Sequence, residues 1–170
     1  MTNIPSIRKA TPSDIDKLVQ LRLLLQQHCE ESNPMIWRMT EEGKTILKQR
    51  VQNELSTNNS HVLIAEMNGE IIGSAHGEIT HRTDYTPKTV GSISTVYVVR
   101  EFRKRGVGAL LVKQLCELFD AEGVEDVTLR YIIGNKEAEA FWRKLGFKPI
   151  ITTAKTSLKE LENKTSSMNT

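Results

Sequence analysis

The sequence predicts an α/β domain that is built around a mixed β-sheet. Candidate strands outnumber candidate helices, and two helical segments precede the first pair of strands. A run rich in β-branched residues at 92–99 leads through a glycine-containing loop into an amphipathic segment at 108–119. A chain of 170 residues is long enough to bury one core. We therefore expect one domain over residues 1–158, followed by a polar tail at 159–170.

The first third of the chain predicts one strand and two helices. Residues 4–10 are the candidate strand. Thr11 is a suitable N-cap and Pro12 fits the first helical position, so a helix is expected over residues 11–29. One stripe of this helix combines apolar side chains with one charged side chain: Ile15, Leu18, Arg22, Leu25 and Cys29. A second helix is expected over residues 40–55.

The middle of the chain predicts a β-hairpin and then a central strand. Residues 61–66 and 70–80 are candidate strands, and Asn68-Gly69 between them is a strong hairpin signal. Two glycines lie inside the second of these strands, Gly73 and Gly77. A glycine within a strand indicates a bulge or a close backbone approach. The polar loop at 81–88 leads to the central strand at 92–99.

The last third predicts another strand–helix–strand unit. Residues 126–133 are a candidate strand, and a short helix is expected over residues 136–145. One more strand is expected over residues 148–158. Residues 160–170 are polar and contain no aromatic side chain, so we expect this end of the chain to fray.

Composition excludes several functional classes. The formal net charge of +2 is too small to indicate nucleic-acid binding, and basic residues do not alternate with aromatic ones. No apolar run reaches the length of a membrane span, and the first residues lack the apolar core of a signal peptide, so we expect a cytoplasmic protein without nucleic-acid or membrane partners. Cys29 and Cys116 lie far apart in the sequence and do not form the paired cysteine pattern of a zinc site, which argues against a metal site.

The loop between the central strand and the following helix predicts a phosphate seat. Gly106 and Gly108 let a ligand approach the backbone at the start of the helix, where amide groups lack intrahelical partners. Four cationic side chains surround this point: Arg100, Arg103, Lys104 and Arg105. The loop lacks the Gly-Lys-Ser/Thr of a P-loop and does not fit G-x-G-x-x-G. A glycine turn with a solvated basic face is the alternative interpretation.

Two motifs resemble those of the GNAT superfamily of N-acetyltransferases. Arg103-x-x-Gly106-x-Gly108 resembles the superfamily's coenzyme A pyrophosphate loop. Further along lies a second pattern, Asn135-x-x-Ala138-x-x-Phe141-Trp142-x-x-x-Gly146-Phe147. This second motif follows the first with one predicted strand between them, an order that is similar to the second half of the GNAT coenzyme site. The resemblance implies a GNAT-like fold: a mixed, mostly antiparallel, twisted sheet flanked by about four helices, with a splayed central cleft.

The resemblance also implies acetyl-CoA as cosubstrate, bound in that cleft without a metal ion. The implied coenzyme-binding residues are Val96, Tyr97, Val98, Arg103, Lys104, Arg105, Gly106, Val107, Gly108, Ala109, Asn135, Phe141 and Trp142. The implied reaction is direct transfer of the acetyl group to a primary amine in a ternary complex. A non-catalytic module that senses acetyl-CoA is the alternative. The acceptor would be a small-molecule or peptide amine, and a homodimer is considered as the assembly.

The sequence departs from the superfamily's pattern at two catalytic positions. Trp142 stands where many members have the Tyr that protonates the leaving thiolate, and Ser92 stands where some carry a catalytic Glu. The indole N–H is no useful acid, so the acid is Tyr131, a water or none. Glu78 is the first candidate base, with His76 and His81 as further candidates. For each of the three, a solvated or hydrogen-bonded strand residue is the alternative.

Overall fold

The computed structural model describes residues 4–168 as five strands flanked by helices. The strands are β1 (Ser6–Lys9), β2 (Ser60–Met67), β3 (Glu70–His81), β4 (Thr89–Val98) and β5 (Asp126–Leu129). The helices are α1 (Ile15–Ser32), α2 (Glu41–Ser56), α3 (Val107–Ala121), α4 (Lys136–Lys144) and α5 (Leu158–Ser167). Short 3-10 helices lie at Pro12–Asp14 and Arg100–Phe102.

The strands form one sheet in the order β1-β2-β3-β4-β5. The first three pairs are antiparallel, and β4 pairs with β5 in parallel after the crossover through α3. Parallel neighbours need such a crossover, whereas antiparallel neighbours can be joined by tight turns. The predicted mixed, mostly antiparallel sheet is confirmed.

Helices cover both faces of this sheet. Helix α3 packs on one face, where Leu111, Leu115 and Phe119 join apolar side chains from the strands in the larger core cluster. Gly77 and Gly91 make room for the Phe119 ring, because a Cβ on either would lie 2.7–2.8 Å from it. On the other face, α1 and α2 pack against β2 in a second cluster. The sheet therefore lies between two layers of helices.

Two strand predictions in the last third are wrong. The strand expected at 126–133 ends at Leu129, because its pairing with β4 stops there. A strand continues only where its backbone is hydrogen-bonded to a neighbouring strand. Residues 148–157 form no strand, although β-branched residues favour one there. Ile150 and Ile151 are 80% and 84% exposed, so no strand packs against them within residues 4–168. Instead, Lys155 donates to the Met35 carbonyl at 2.8 Å.

The predicted polar tail contains helix α5. The Ser157 side chain accepts a hydrogen bond from the Glu160 amide at 3.2 Å, so the Ser-x-x-Glu pattern was a capping signal that the sequence analysis missed. No residue of α5 is buried, and fraying of this segment stays a prediction. Residues 1–3 and 169–170, at the ends of the predicted domain and tail, lie outside the described residues.

The first helical turn is anchored by Asp14, which predicts a loss of stability in acid. Asp14 accepts from the Arg8 guanidinium at 2.8 Å and from the Thr11 amide at 2.7 Å. The hydrogen bonds from Arg8 lower the pKa of Asp14 to about 2. A depressed pKa stabilises the fold above the unfolded value near 4, and this contribution disappears as pH falls from about 4 to about 2.

Asp14→Asn should therefore lower the free energy of unfolding by about 1–2 kcal/mol at pH 7, a value reduced because Arg8 is partly exposed. Urea unfolding at pH 7 and pH 3 measures the difference, which should shrink at the lower pH. Asp16→Asn is the matched control, since Asp16 pairs with Lys48 but its side chain is 86% exposed. Equal losses in both variants would contradict the role of Asp14.

Candidate active site

The central strand β4 has a free edge where β5 stops. The two strands pair from Val90–Asp126 to Ile93–Leu129, while β4 continues to Val98. Residues 94–98 thus lie beyond the last pair on the β5 side. The pairing thus ends in the part of the sheet where a splayed cleft was expected.

A β-bulge lies at the start of this free edge. On the β3 side, Gly77 pairs with Ile93 and His76 pairs with Thr95, so Ser94 is the extra residue. A bulge was predicted from the glycines of β3: beside Gly77 the inserted residue belongs to β4, whereas beside Gly73 a second bulge inserts Ile72 into β3 opposite β2. Bulges commonly lie next to active sites, where they redirect backbone groups. His76 and Glu78 stay on the same face, with the Nε2 of His76 3.3 Å from Oε1 of Glu78.

The N-terminus of α3 has the features of an anion seat. Gly106 is the N-cap residue with a left-handed φ of 82°, and no side chain caps this end. The first intrahelical bond runs from the Leu110 amide to the Gly106 carbonyl at 3.0 Å. The amides of Val107, Gly108 and Ala109 therefore precede the helical ladder, and the helix dipole favours a negative charge beside them.

The cationic side chains near this seat differ in their contacts. Arg100, Lys104 and Arg105 are exposed residues in the loop that leads to the N-terminus of α3. Arg103 instead donates through Nε to the Val98 carbonyl at 3.0 Å, and its Nη1 lies 3.0 Å from Glu137 Oε2. Arg103 thus joins the end of β4 to the first turn of α4, a connection that the sequence did not predict.

A cleft of about 470 Å³ opens beside these residues, between α1 and the end of β4. Its lining combines apolar side chains with charges of both signs: Leu24, Gln27, His28, Glu31, Tyr97, Val99, Arg100, Glu101, Arg103 and Glu137. Tyr97, Arg100 and Arg103 were already named from the sequence. The side chains from α1 and α4 were missed, because no local pattern places a helix surface opposite a distant strand end.

The implied coenzyme residues on β4 and α4 differ in what they present to the cleft. Val96, Val98 and Phe141 are half-buried and pack at the margin of the α3-side core. The Tyr97 carbonyl lies 2.8 Å from the position of a Cβ on Gly73, so it faces β3 and only the Tyr97 ring faces the cleft. A contact between the Tyr97 carbonyl and a ligand in the cleft is therefore not expected.

Asn135 and Trp142 have structural roles. The Asn135 side chain accepts from the Ala138 amide at 3.1 Å and caps α4. Trp142 is only 7% exposed and packs against Phe141 and Phe147 in the core. Contacts of these residues with a coenzyme stay predictions.

The two candidate catalytic residues lie in different surroundings. Glu78 is the cross-strand partner of Ser92, and its side chain is 49% exposed. A carboxylate on β3 thus lies beside the position where some relatives carry one on the central strand. Tyr131 lies beyond the end of β5, half-buried against the core. His81 is exposed and contacts the Thr89 hydroxyl at 3.2 Å.

A buried polar cluster lies behind Glu78, between the sheet and the α1–α2 layer. Arg22 donates to Glu54 at 2.8 Å, and the same Glu54 oxygen lies 3.6 Å from Nδ1 of His76. Nε2 of His76 lies 2.9 Å from the Ser60 hydroxyl. Arg22 was visible in the sequence as the one charged member of an apolar helix stripe, a pattern that signals a buried pair.

Burial governs the charge states in this cluster. It lowers the pKa of His76 to about 4, with the nearby Arg22 charge acting in the same direction, so the imidazole is neutral at pH 7. Burial also raises the pKa of Glu54, an effect that Arg22 opposes, and it lowers the pKa of Arg22. Among residues 4–168, the buried atoms Arg22 Nε, His76 Nδ1 and Thr95 Oγ1 lack a hydrogen-bond partner.

The described residues 4–168 provide neither a metal-binding cluster nor a membrane-spanning helix. Within residues 4–168, no group of three or more His, Cys, Asp or Glu side chains is arranged to hold a metal ion. In the same part of the chain, no helix is both long and apolar enough to cross a membrane.

Comparison with known proteins gives matches over most of the chain. The model of the acetyltransferase (GNAT) family matches residues 24–147. An uncharacterized N-acetyltransferase of Archaeoglobus fulgidus is 30% identical over 115 residues, which cover 65% of this chain and 71% of that protein. One from Methanocaldococcus jannaschii is 29% identical over 84 residues, covering 49% of this chain but only 37% of the relative.

A solved structure shows the same fold. The aminoglycoside N-acetyltransferase AAC(6')-Iy in complex with CoA superposes with a TM-score of 0.71 at 17% sequence identity. The superposition covers 92% of this chain and 96% of that one. At this identity the comparison supports the arrangement of strands and helices described above.

Proposed function

Because the chain belongs to the GNAT acetyltransferase family, we propose that it moves an acetyl group from acetyl-CoA to a primary amine by direct attack in a ternary complex. The observation that carries this proposal is the uncapped N-terminus of α3 beside the free edge of β4. A pyrophosphate fits the first, and a chain of amide groups such as pantetheine fits the second. The thioester supplies an activated acetyl group.

The residues of this chain would hold the coenzyme at both ends. The amides of Val107, Gly108 and Ala109 would donate to phosphate oxygens, with Lys104 and Arg105 adding positive charge. The backbone groups of Val96 and Val98 would form hydrogen bonds with the pantetheine part of the coenzyme. Arg103 would act mainly by fixing the turn after β4, since its guanidinium already binds the Val98 carbonyl and Glu137.

Glu78 would take the proton that the attacking amine loses. An alkylammonium with a pKa near 10 is mostly unreactive at neutral pH, so a base has to deprotonate it. The hydroxyls of β4 at Ser92 and Ser94 do not deprotonate amines unaided. Glu78 offers a carboxylate beside Ser92, at about the spacing of a cross-strand pair. Tyr131 stays the proposed acid for the leaving thiolate.

The acceptor would be a small-molecule or peptide amine. The aminoglycoside acetyltransferase that shares the fold acts on an amine-bearing small molecule, as its name states. The carboxylates of Glu31 and Glu101 line the cleft and would favour a cationic acceptor, whereas Glu137 is already paired with Arg103. A cytoplasmic location, a homodimer and the absence of nucleic-acid and membrane partners also stay proposals.

Release of coenzyme thiol tests the function directly. With acetyl-CoA and a panel of amines and peptides, an acetyltransferase should release free thiol continuously and only when a suitable amine is present. The alternative, a module that senses acetyl-CoA without turnover, is favoured by Trp142 standing where Tyr is common. That module would bind the coenzyme and release no thiol with any amine in the panel.

Initial-rate kinetics should show a ternary complex. A covalent relay through the enzyme needs an activated thiolate in the cleft. Burial raises the pKa of both Cys29 and Cys116, which makes them poor nucleophiles at pH 7. Double-reciprocal plots against both substrates should therefore intersect, and Cys116→Ser should keep turnover within about twofold, since the reaction does not use this thiol. Parallel lines, or an acetylated cysteine trapped without acceptor, would contradict direct transfer.

A further inference from the structure

The buried cluster behind Glu78 contains a histidine between two carboxylates. His76 is 2% exposed and neutral, so its ring carries one proton for two competing acceptors. Oε1 of Glu78 lies 3.3 Å from Nε2, and Oε2 of Glu54 lies 3.6 Å from Nδ1. The position of this one proton decides which carboxylate has an N–H donor in front of it.

The contacts of the two carboxylates are unequal. The Glu54 oxygen that faces Nδ1 already accepts from Arg22 at 2.8 Å. A separation of 3.6 Å is too long for a hydrogen bond, so Glu54 gains little from the imidazole proton. For Glu78, the described contact is the 3.3 Å approach of Oε1 to Nε2 of the neutral His76 ring. The demand for the proton is therefore greater on the Nε2 side.

Ser60 completes the arrangement on that side. It is the cross-strand partner of Glu78, and its hydroxyl lies 2.9 Å from Nε2. A hydroxyl can donate or accept, so it tolerates either tautomer of His76. An ionised carboxylate only accepts, so Glu78 tolerates one.

We propose that His76 is a positioning residue for Glu78, held by the Arg22–Glu54 ion pair with its proton on Nε2. The Nε2–H then lies on the side of both the Ser60 hydroxyl at 2.9 Å and the Glu78 carboxylate at 3.3 Å, and it can orient that carboxylate to accept a proton from the amine. The long 3.3 Å separation is of the kind that shortens when substrates bind. This inference rests on the proposed role of Glu78 as base.

Charged groups from four elements face this pair. Arg22 comes from α1 and Glu54 from α2, and both interact electrostatically with Glu78 on β3. His61 on β2 contributes to lowering the pKa of His76 through its electrostatic interaction with the ring. Arg50 on α2 opposes the rise in the pKa of Glu54 in the same way. Arg22 is the charge that neutralises Glu54. Without it, Glu54 would compete for the imidazole proton and draw it to Nδ1.

The tautomer can be measured without any activity. In the free wild-type protein at pH 7, nitrogen-15 NMR of His76 should show a neutral ring protonated at Nε2. In Arg22→Met, the signal should shift toward the Nδ1-protonated form. A wild-type ring that is protonated at Nδ1 would overturn the proposal, even if Arg22→Met fails to fold.

Kinetics of two variants at one position test the positioning role. His76→Leu removes the donor, whereas His76→Gln keeps an amide N–H near the place of Nε2. His76→Leu should lower kcat about tenfold at pH 7, part of what a general base contributes, and move the acid limb of the profile to higher pH. His76→Gln should restore both toward wild type. Acceptor KM and coenzyme affinity should stay unchanged in both variants.

The outcomes separate this inference from the proposed function. A slow Glu78→Gln together with a His76→Leu profile that matches wild type would overturn only the positioning role. Wild-type turnover in Glu78→Gln would remove the base itself, and the positioning role with it. Thr80→Ala is the matched control for a change on the same face of β3, since Thr80 is exposed and lies two residues beyond Glu78, and it should leave the acid limb in place. Melting curves show whether each variant folds.

Discussion

Glu78→Gln is expected to lower kcat about 10²–10⁴-fold while coenzyme affinity stays intact, the usual range for loss of a general base. The amide keeps the size of the carboxylate but accepts no proton. Glu78 lies beside Ser92 on the face that also carries His76, and half of its side chain is exposed and can meet an acceptor. The acid limb of the pH–rate profile should disappear or move in this variant, because its titrating base is gone.

Glu70→Gln is the matched control for this change. Glu70 is an exposed carboxylate at the start of the same strand, and it lies far along β3 from His76 and Gly77, which face the bulge at Ser94. It should keep wild-type turnover and an unchanged pH profile. Near-wild-type turnover in Glu78→Gln would transfer the role of base to His76, His81 or an ordered water held by β4.

Gly108→Val is expected to weaken coenzyme A binding more than any other change at the phosphate seat. A Cβ on Gly108 would lie 3.4 Å from the Phe141 ring, an ordinary contact, so Gly108→Ala fits and is the matched control. The branched side chain of valine adds two methyl groups where a ligand has to approach the backbone. Calorimetric titration with coenzyme A should show a large loss of affinity for valine and a small one for alanine.

Arg103→Ala tests the same seat through its supporting side chain. The variant loses the bond that holds the turn after β4 to the Val98 carbonyl, and this should weaken coenzyme binding by roughly 1.5–3 kcal/mol, the range for a hydrogen bond to a charged group. Because Arg103 also neutralises Glu137, the variant leaves a carboxylate near the phosphates. Bound coenzyme should raise the melting temperature of the wild type, and this shift should be smaller in the variant. Unchanged affinity in both Gly108→Val and Arg103→Ala would contradict the phosphate seat.

The sequence predicted elements best where one local pattern decides the structure. The apolar stripe of α3 and the Asn68-Gly69 turn between β2 and β3 depend on neighbours within a few residues. The strand expected at 148–158 failed because β-propensity becomes a strand only beside a partner. The early end of β5 has the same cause, since its pairing with β4 stops at Leu129.

The site was predictable in the same uneven way. The seat at the start of α3 follows from glycines and charges within one loop, and the structure places them at an uncapped helix end. The bond from Arg103 to Glu137 spans 34 residues, and the pair of Arg22 with Glu54 spans 32. Long-range pairs of this kind depend on how helices dock on the sheet. Arg22 in an apolar stripe was the one local sign of them.

The free edge of β4 also affects self-association. Unpaired amide and carbonyl groups along a strand are a template on which another chain can add, which is a route to aggregation. Here the stretch is short, because the bulge at Ser94 interrupts it at one end and the Arg103 guanidinium occupies the Val98 carbonyl at the other. The bulge and the Arg103 bond therefore limit the free edge of β4, where we propose that pantetheine binds. They leave only about three residues with which a strand of another chain could pair.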